Sequence, residues 1–128
     1  MRKVEQQMVA AVRRVLESDV KVGRILKSGN TVVESHVVGR ASVYLFGHLI
    51  ATLDANQVNV TLAGYNTRTT RSRINALLRE FTSGYGVFSV ASWPYYCAPD
   101  DGDDRRGHPF GDREWLCLPA AQAAKVAA

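Results

Sequence analysis

Residues able to do chemistry concentrate in one run, Gly64-Tyr65-Asn66-Thr67-Arg68-Thr69-Thr70-Arg71-Ser72-Arg73-Ile74-Asn75-Ala76-Leu77-Leu78. Their types are those of anion recognition. Arg68, Arg71 and Arg73 carry planar guanidinium forks that match phosphate oxygens in a bidentate way. The run joins the end of an alternating strand to the start of an amphipathic helix, and a helix start adds unpaired N–H groups and the positive end of the macrodipole. Tyr65 offers a ring for stacking, Thr67 and Thr70 offer hydroxyls, and the Asn75 amide can both donate to and accept from a base or sugar edge. A phosphorylated ligand is the expectation. The competing reading is a solvated helix face, because Arg68, Arg71, Asn75 and Arg79 follow one another at helical spacing on the side turned from the core.

Other constellations carry less. Asp100, Asp101, Asp103 and Asp104, with His108, Asp112 and Glu114 beyond, could hold a divalent metal through oxygen ligands and would then support a metal-dependent hydrolase. The alternation of a calcium loop is missing, however, and Arg105 and Arg106 neutralise the cluster, so no metal site is assigned. Nucleophile-elbow, phosphate-loop and dinucleotide-loop patterns are absent. His36, His48 and His108 are scattered, and His36 and His48, in strands, read as structural or surface residues. No catalytic residue and no cofactor is assigned, and the chain is read as a non-enzyme. A small nucleic-acid-binding protein is a further alternative. Its strand aromatics, Tyr44, Phe46, Phe88 and Trp93, mostly sit where a core is expected, and the ribonucleoprotein motif is lacking.

The elements that position this chemistry follow from periodicity. Val4, Met8, Ala11, Val12, Val15 and Leu16 make one apolar helical face over residues 2–18. The chain then loosens to a turn cluster at Lys27-Ser28-Gly29-Asn30. Strands are expected over 31–38, 41–46, 48–53 and 57–62, separated by short glycine or polar breaks that favour antiparallel hairpins. A helix from about Thr69 to Phe81 places Ile74, Leu77, Leu78 and Phe81 on the sheet. After the turn Ser83-Gly84-Tyr85-Gly86, residues 87–93 read as a fifth strand, and 114–118 as one more short strand or a docking segment. The fold class is α+β: an antiparallel meander sheet of about five strands, with an N-terminal helix and a second amphipathic helix packed on it.

With 128 residues, 46% apolar and 22% charged, the chain suits a single domain over 1–119, followed by a flexible tail at 120–128. No apolar run reaches membrane-spanning length and the first residues lack a secretory h-region, so a cytoplasmic location without membrane attachment is expected. The net charge of +4 comes mainly from 12 Arg against 4 Lys. That bias suits phosphates, nucleic acid or an arginine-lined subunit interface, while the modest total does not by itself define a nucleic-acid binder. Cys97 and Cys117 are expected as free thiols, with a disulfide across the intervening loop as the alternative; a zinc site lacks paired cysteines.

The run Val43-Tyr44-Leu45-Phe46-Gly47-His48-Leu49-Ile50-Ala51, the Gly64 to Leu78 run and the entry Lys27-Ser28-Gly29-Asn30-Thr31 together resemble small phage proteins of the first Thoeris anti-defence type. The resemblance spans roughly residues 27–80. It implies a protein, acting in the infected bacterial cytoplasm, that binds cyclic ADP-ribose isomers, and in some members cyclic oligonucleotides, and sequesters them without cleavage. It also implies a homo-oligomer, dimer or hexamer, with the pocket formed between two subunits. Carried onto this chain, the stacking aromatic falls on Tyr65 and the ligand-contacting asparagine on Asn75. Arginines from the neighbouring subunit complete such pockets, and Arg24, Arg40, Arg105 and Arg106 are the candidates.

Overall fold

The structure is a computed structural model and describes residues 2–17, 20–101 and 107–121. The first helix, α1 (Lys3–Glu17), buries Met8, Val9, Ala11, Val12 and Val15. Strands β1 (Gly23–Ser28), β2 (Thr31–Val37), β3 (Arg40–Leu45), β4 (His48–Leu53) and β5 (Gln57–Val60) follow. Helix α2 (Arg68–Phe81) leads to β6 (Gly86–Val90), β7 (Trp93–Cys97), β8 (His108–Pro109) and β9 (Leu116–Pro119).

The expected α+β architecture is present, with the sheet larger than the alternation indicated. A six-stranded sheet runs in the order β1-β2-β3-β4-β5-β9, and β6-β7-β8 form a second sheet of three strands. Every pairing in both is antiparallel. Three of the expected boundaries differ, each for a physical reason. Strand β1 lies in the stretch read as loosened, because a bulge between Arg24 and Leu26 breaks its alternation. The strand expected over 87–93 is instead the start of a hairpin. Ala91 (φ 50°) and Ser92 (φ 67°) both adopt positive φ, as a type I′ turn requires, without the glycine or asparagine that would mark it. Segment 116–119 is a strand, pairing with β5 from Gln57↔Pro119 to Val60↔Leu116.

The helices cover one face of the large sheet. Val33, Val43, Leu45, Ile50, Leu53, Val58 and Val60 meet Met8, Val12 and Val15 of α1 and Ile74, Leu77 and Leu78 of α2 in one apolar core. Each such large side chain contributes about 1.5–3 kcal/mol by leaving water. Within this core the two helices are joined by a charged pair. Arg73, 8% exposed, donates to Glu5 at 2.8 Å and to the Thr31 hydroxyl at 3.2 Å. Ser72 also donates to Glu5. Burial pushes the Glu5 carboxyl up, but the hydrogen bonds from Ser72 and Arg73 and the charge of Arg73 outweigh it and hold the group below its ordinary 4.5. Arg73, read from sequence as a phosphate ligand, is therefore committed to the interior.

At the end of the chain, the Ala120 N–H donates to the Asn56 carbonyl at 3.0 Å, and Ala120 is buried. The rest of the expected tail, 122–128, lies outside the described residues. Among the described residues no helix is long and apolar enough to cross a membrane. Cys97 and Cys117 are free and belong to different sheets.

Candidate functional site

Two tight turns build the site. At the first, between β3 and β4, Phe46 (φ 51°) and Gly47 (φ 79°) turn the chain, and Phe46 is left 61% exposed. The Phe46 N–H donates to the Asn30 carbonyl at 2.9 Å, which fixes the hairpin tip. At the second, after β5, Ala63 (φ 55°) and Gly64 (φ 86°) turn the chain again, closed by the Tyr65 N–H on the Leu62 carbonyl at 2.9 Å. Gly64 suits this turn. Its φ suits glycine, and an added Cβ would stand 3.1 Å from Nε of Arg113.

These turns bring Tyr65 against His48, with ring centroids 4.7 Å apart and planes at 36°. Tyr65 stays 50% exposed. Behind the rings lies a cleft of about 260 Å³, walled by Leu45, Ile50 and Leu62 and edged by Phe46, Thr67 and Thr70. The lining is mainly apolar with a few polar groups, the usual make-up of a small-molecule site. An exposed tyrosine beside a second ring is a platform for a planar group, such as a purine.

Helix α2 begins at the rim of this cleft. Thr67 is its N-cap, in extended conformation, and the Thr67 hydroxyl accepts from the Thr70 N–H at 3.2 Å. The two hydroxyls are 2.9 Å apart, and Thr70 is buried. Arg68 stands exposed at the first helical position and has no ion pair among the described residues. The first turn contains no acid.

The remaining residues named from sequence lie elsewhere. Arg71 donates through one nitrogen to the Asn66 carbonyl at 3.2 Å and to Asn66 Oδ1 at 2.6 Å. Asn66 in turn donates to the Ser89 hydroxyl and the Ser92 carbonyl, tying the helix start to the β6–β7 hairpin. Asn75 does not face the Tyr65 cleft. Its Nδ2 donates to the Val87 carbonyl at 2.9 Å and its Oδ1 accepts from the Val87 N–H at 2.8 Å, so the amide completes the edge of β6 as a strand would. Arg24 is exposed on edge strand β1, opposite Glu34. Arg40 lines a hollow with Leu49, Thr52 and Trp115. Arg105 and Arg106 lie outside the described residues, as do Asp103 and Asp104 of the acidic cluster. Asp101 pairs with His108 at 3.1 Å, and among the described residues no cluster of three His, Cys, Asp or Glu side chains could hold a metal.

Phe46 and His48 also line this cleft, and the sequence run from Gly64 does not contain them. The signal is the Phe46-Gly47 pair, which takes both positions of a turn with positive φ and so ends β3 before Phe46.

The match that bears on identity is to a family of phage proteins. The chain belongs to the Kyanoviridae Gp96 protein family, whose model matches residues 1–116. No curated protein and no solved structure matches the chain.

Proposed function

We propose that this phage protein binds a cyclic nucleotide signal at the Tyr65 cleft and holds it intact, as a counter-defence factor of the infected cell. The observation that carries the reading is the half-exposed Tyr65, packed on His48 at the mouth of an apolar cleft and followed directly by an uncompensated cationic helix start. A purine ring stacks on Tyr65 and enters between it and Phe46. The phosphates take Arg68 and the free N–H groups of the first turn. The sequence resemblance to the first Thoeris anti-defence type supports a cyclic ADP-ribose isomer as the ligand. Asn75 and Arg71 then act by holding α2 and the β6–β7 hairpin in place rather than from inside the cleft. In a homo-oligomer a neighbouring copy supplies a further arginine, with the exposed Arg40 and Arg24 available.

Isothermal calorimetry with cyclic ADP-ribose isomers tests the site. Replacing Tyr65 by Ala removes stacking of about 1–3 kcal/mol, which lowers affinity by about 5- to 150-fold at an unchanged melting temperature. Equal affinities for the two proteins would remove Tyr65 from the site.

A further inference from the structure

The outer side of α2 carries a second surface of different character. One open hollow of about 540 Å³ is framed by Arg2, Arg68, Arg71, Ser72, Asn75 and Arg79. A second, of about 510 Å³, continues it along the helix, sharing Asn75 and Arg79 and ending on the Ser83-Gly84-Tyr85 turn. From Arg68 to Arg79 the helix advances about 16 Å at its ordinary rise. Among the described residues, the acids lining these hollows do not compensate this stretch. Glu5 is the acid lining the first hollow, and its carboxylate is taken by Arg73 and Ser72. Glu80, the next acid on α2, is paired with Arg13 at 3.2 Å on another side of the helix. Arg68 and Arg79 make no hydrogen bond or ion pair among the described residues.

The walls are held in place. Asn75 is fixed to Val87 through both of its polar ends, and Arg71 is fixed to Asn66 through one nitrogen, leaving the other side of its guanidinium for a ligand. Tyr85, partly buried against the core, lines the far hollow. A groove with guanidinium groups along its length and an aromatic at one end is the chemistry of single-strand nucleic-acid binding. Cations track successive phosphates, and a base rests on the ring without sequence preference.

We infer that the groove along α2 binds the phosphodiester backbone of a short single-stranded nucleic acid, at a place separate from the Tyr65 cleft. Arg68, at the end nearest the cleft, serves both surfaces. Arg79 and Tyr85 serve the groove alone.

Fluorescence anisotropy of a fluorescein-labelled fifteen-nucleotide oligothymidylate, titrated with the full chain between 50 and 200 mM salt, tests this. Three arginines on phosphates give a slope of log affinity against log salt of about −2. The variant Arg68→Ala with Arg79→Ala brings the slope to about −0.7 and weakens binding at 50 mM salt by about tenfold or more. Tyr65→Ala leaves strand binding unaltered, because Tyr65 lies outside the groove. Arg79→Ala alone leaves cyclic nucleotide binding unaltered, so loss of either activity is read separately from the other. Absence of binding at 50 mM salt, a wild-type slope near zero, the same slope in the double variant, or tighter binding of a duplex of equal length would overturn the inference.

Discussion

Arg68 stands where a positive charge meets the positive end of the α2 macrodipole, in a first turn without an acid. The arrangement costs stability unless an anion is bound, and its reversal is a test. Arg68→Glu is expected to raise the free energy of unfolding by about 0.3–1 kcal/mol while weakening anion binding. Denaturant unfolding, read beside calorimetry, separates the two effects. Asn75 behaves in the opposite way. Replacement by Ala leaves both polar groups of Val87 unpaired at the edge of β6, and a loss of about 1–3 kcal/mol is expected in the same unfolding measurement. Unchanged stability would mean that the clamp to Val87 does not matter.

The Glu5–Arg73 pair is a stability device with a pH signature. The Glu5 carboxyl is lowered from 4.5 in the folded chain, so the stability it contributes is complete above that value and is lost as pH falls through the lowered one. Glu5→Gln should flatten the fall in melting temperature below about pH 4.5 relative to the parent protein. Removing one member of a buried pair leaves the other charge uncompensated, and Arg73→Ala is expected to cost about 3–5 kcal/mol. An acid-unfolding curve identical for Glu5→Gln and the parent would show that the carboxyl titrates as if exposed.

At the scale of elements, the β6–β7 hairpin contains a correctable strain. Ala91 and Ser92 hold left-handed φ values that asparagine and glycine adopt more easily. Ala91→Asn with Ser92→Gly is expected to stabilise the chain by about 1 kcal/mol, read as a higher midpoint in urea. A lower midpoint would mean that these side chains pack in ways the turn geometry does not convey. The same turn explains why 87–93 reads as one strand. Val87, Ser89 and Ala91 continue an alternation in sequence, and backbone reversal here lacks its usual residues. Helix α2, by contrast, is legible almost to the residue, since Thr67 supplies the cap and Ile74, Leu77, Leu78 and Phe81 supply the stripe. What the stripe could not convey is which arginine near it is buried. Arg73 lies next to Ile74 on the helix and is drawn inward by Glu5, which is distant in sequence and invisible to local periodicity.

For the whole molecule, the antiparallel α+β architecture follows from hairpin spacing, while the long-range pairing of β9 with β5 does not, because the alternation of Leu116–Pro119 does not say which strand it joins. The candidate site is legible in part for a related reason. Tyr65, Thr67 and Arg68 are local to one turn and one cap. His48 reaches Tyr65, and Phe46 reaches the same cleft, only because β3, β4 and β5 are neighbours in the large sheet. The fold thus sets an aromatic cleft at one end of α2 and a basic groove along its outer side, and residues of the one sequence run line both. Family membership places the chain among phage proteins and leaves the ligand to experiment.

The most direct measurement is to mix the purified protein with cyclic ADP-ribose isomers and cyclic di- and trinucleotides, remove unbound ligand, denature the protein by heat and identify by mass spectrometry what is released. The account predicts one intact cyclic nucleotide recovered from the parent protein and little from Tyr65→Ala. Recovery of a cleaved product, or depletion of none of these compounds, would contradict it.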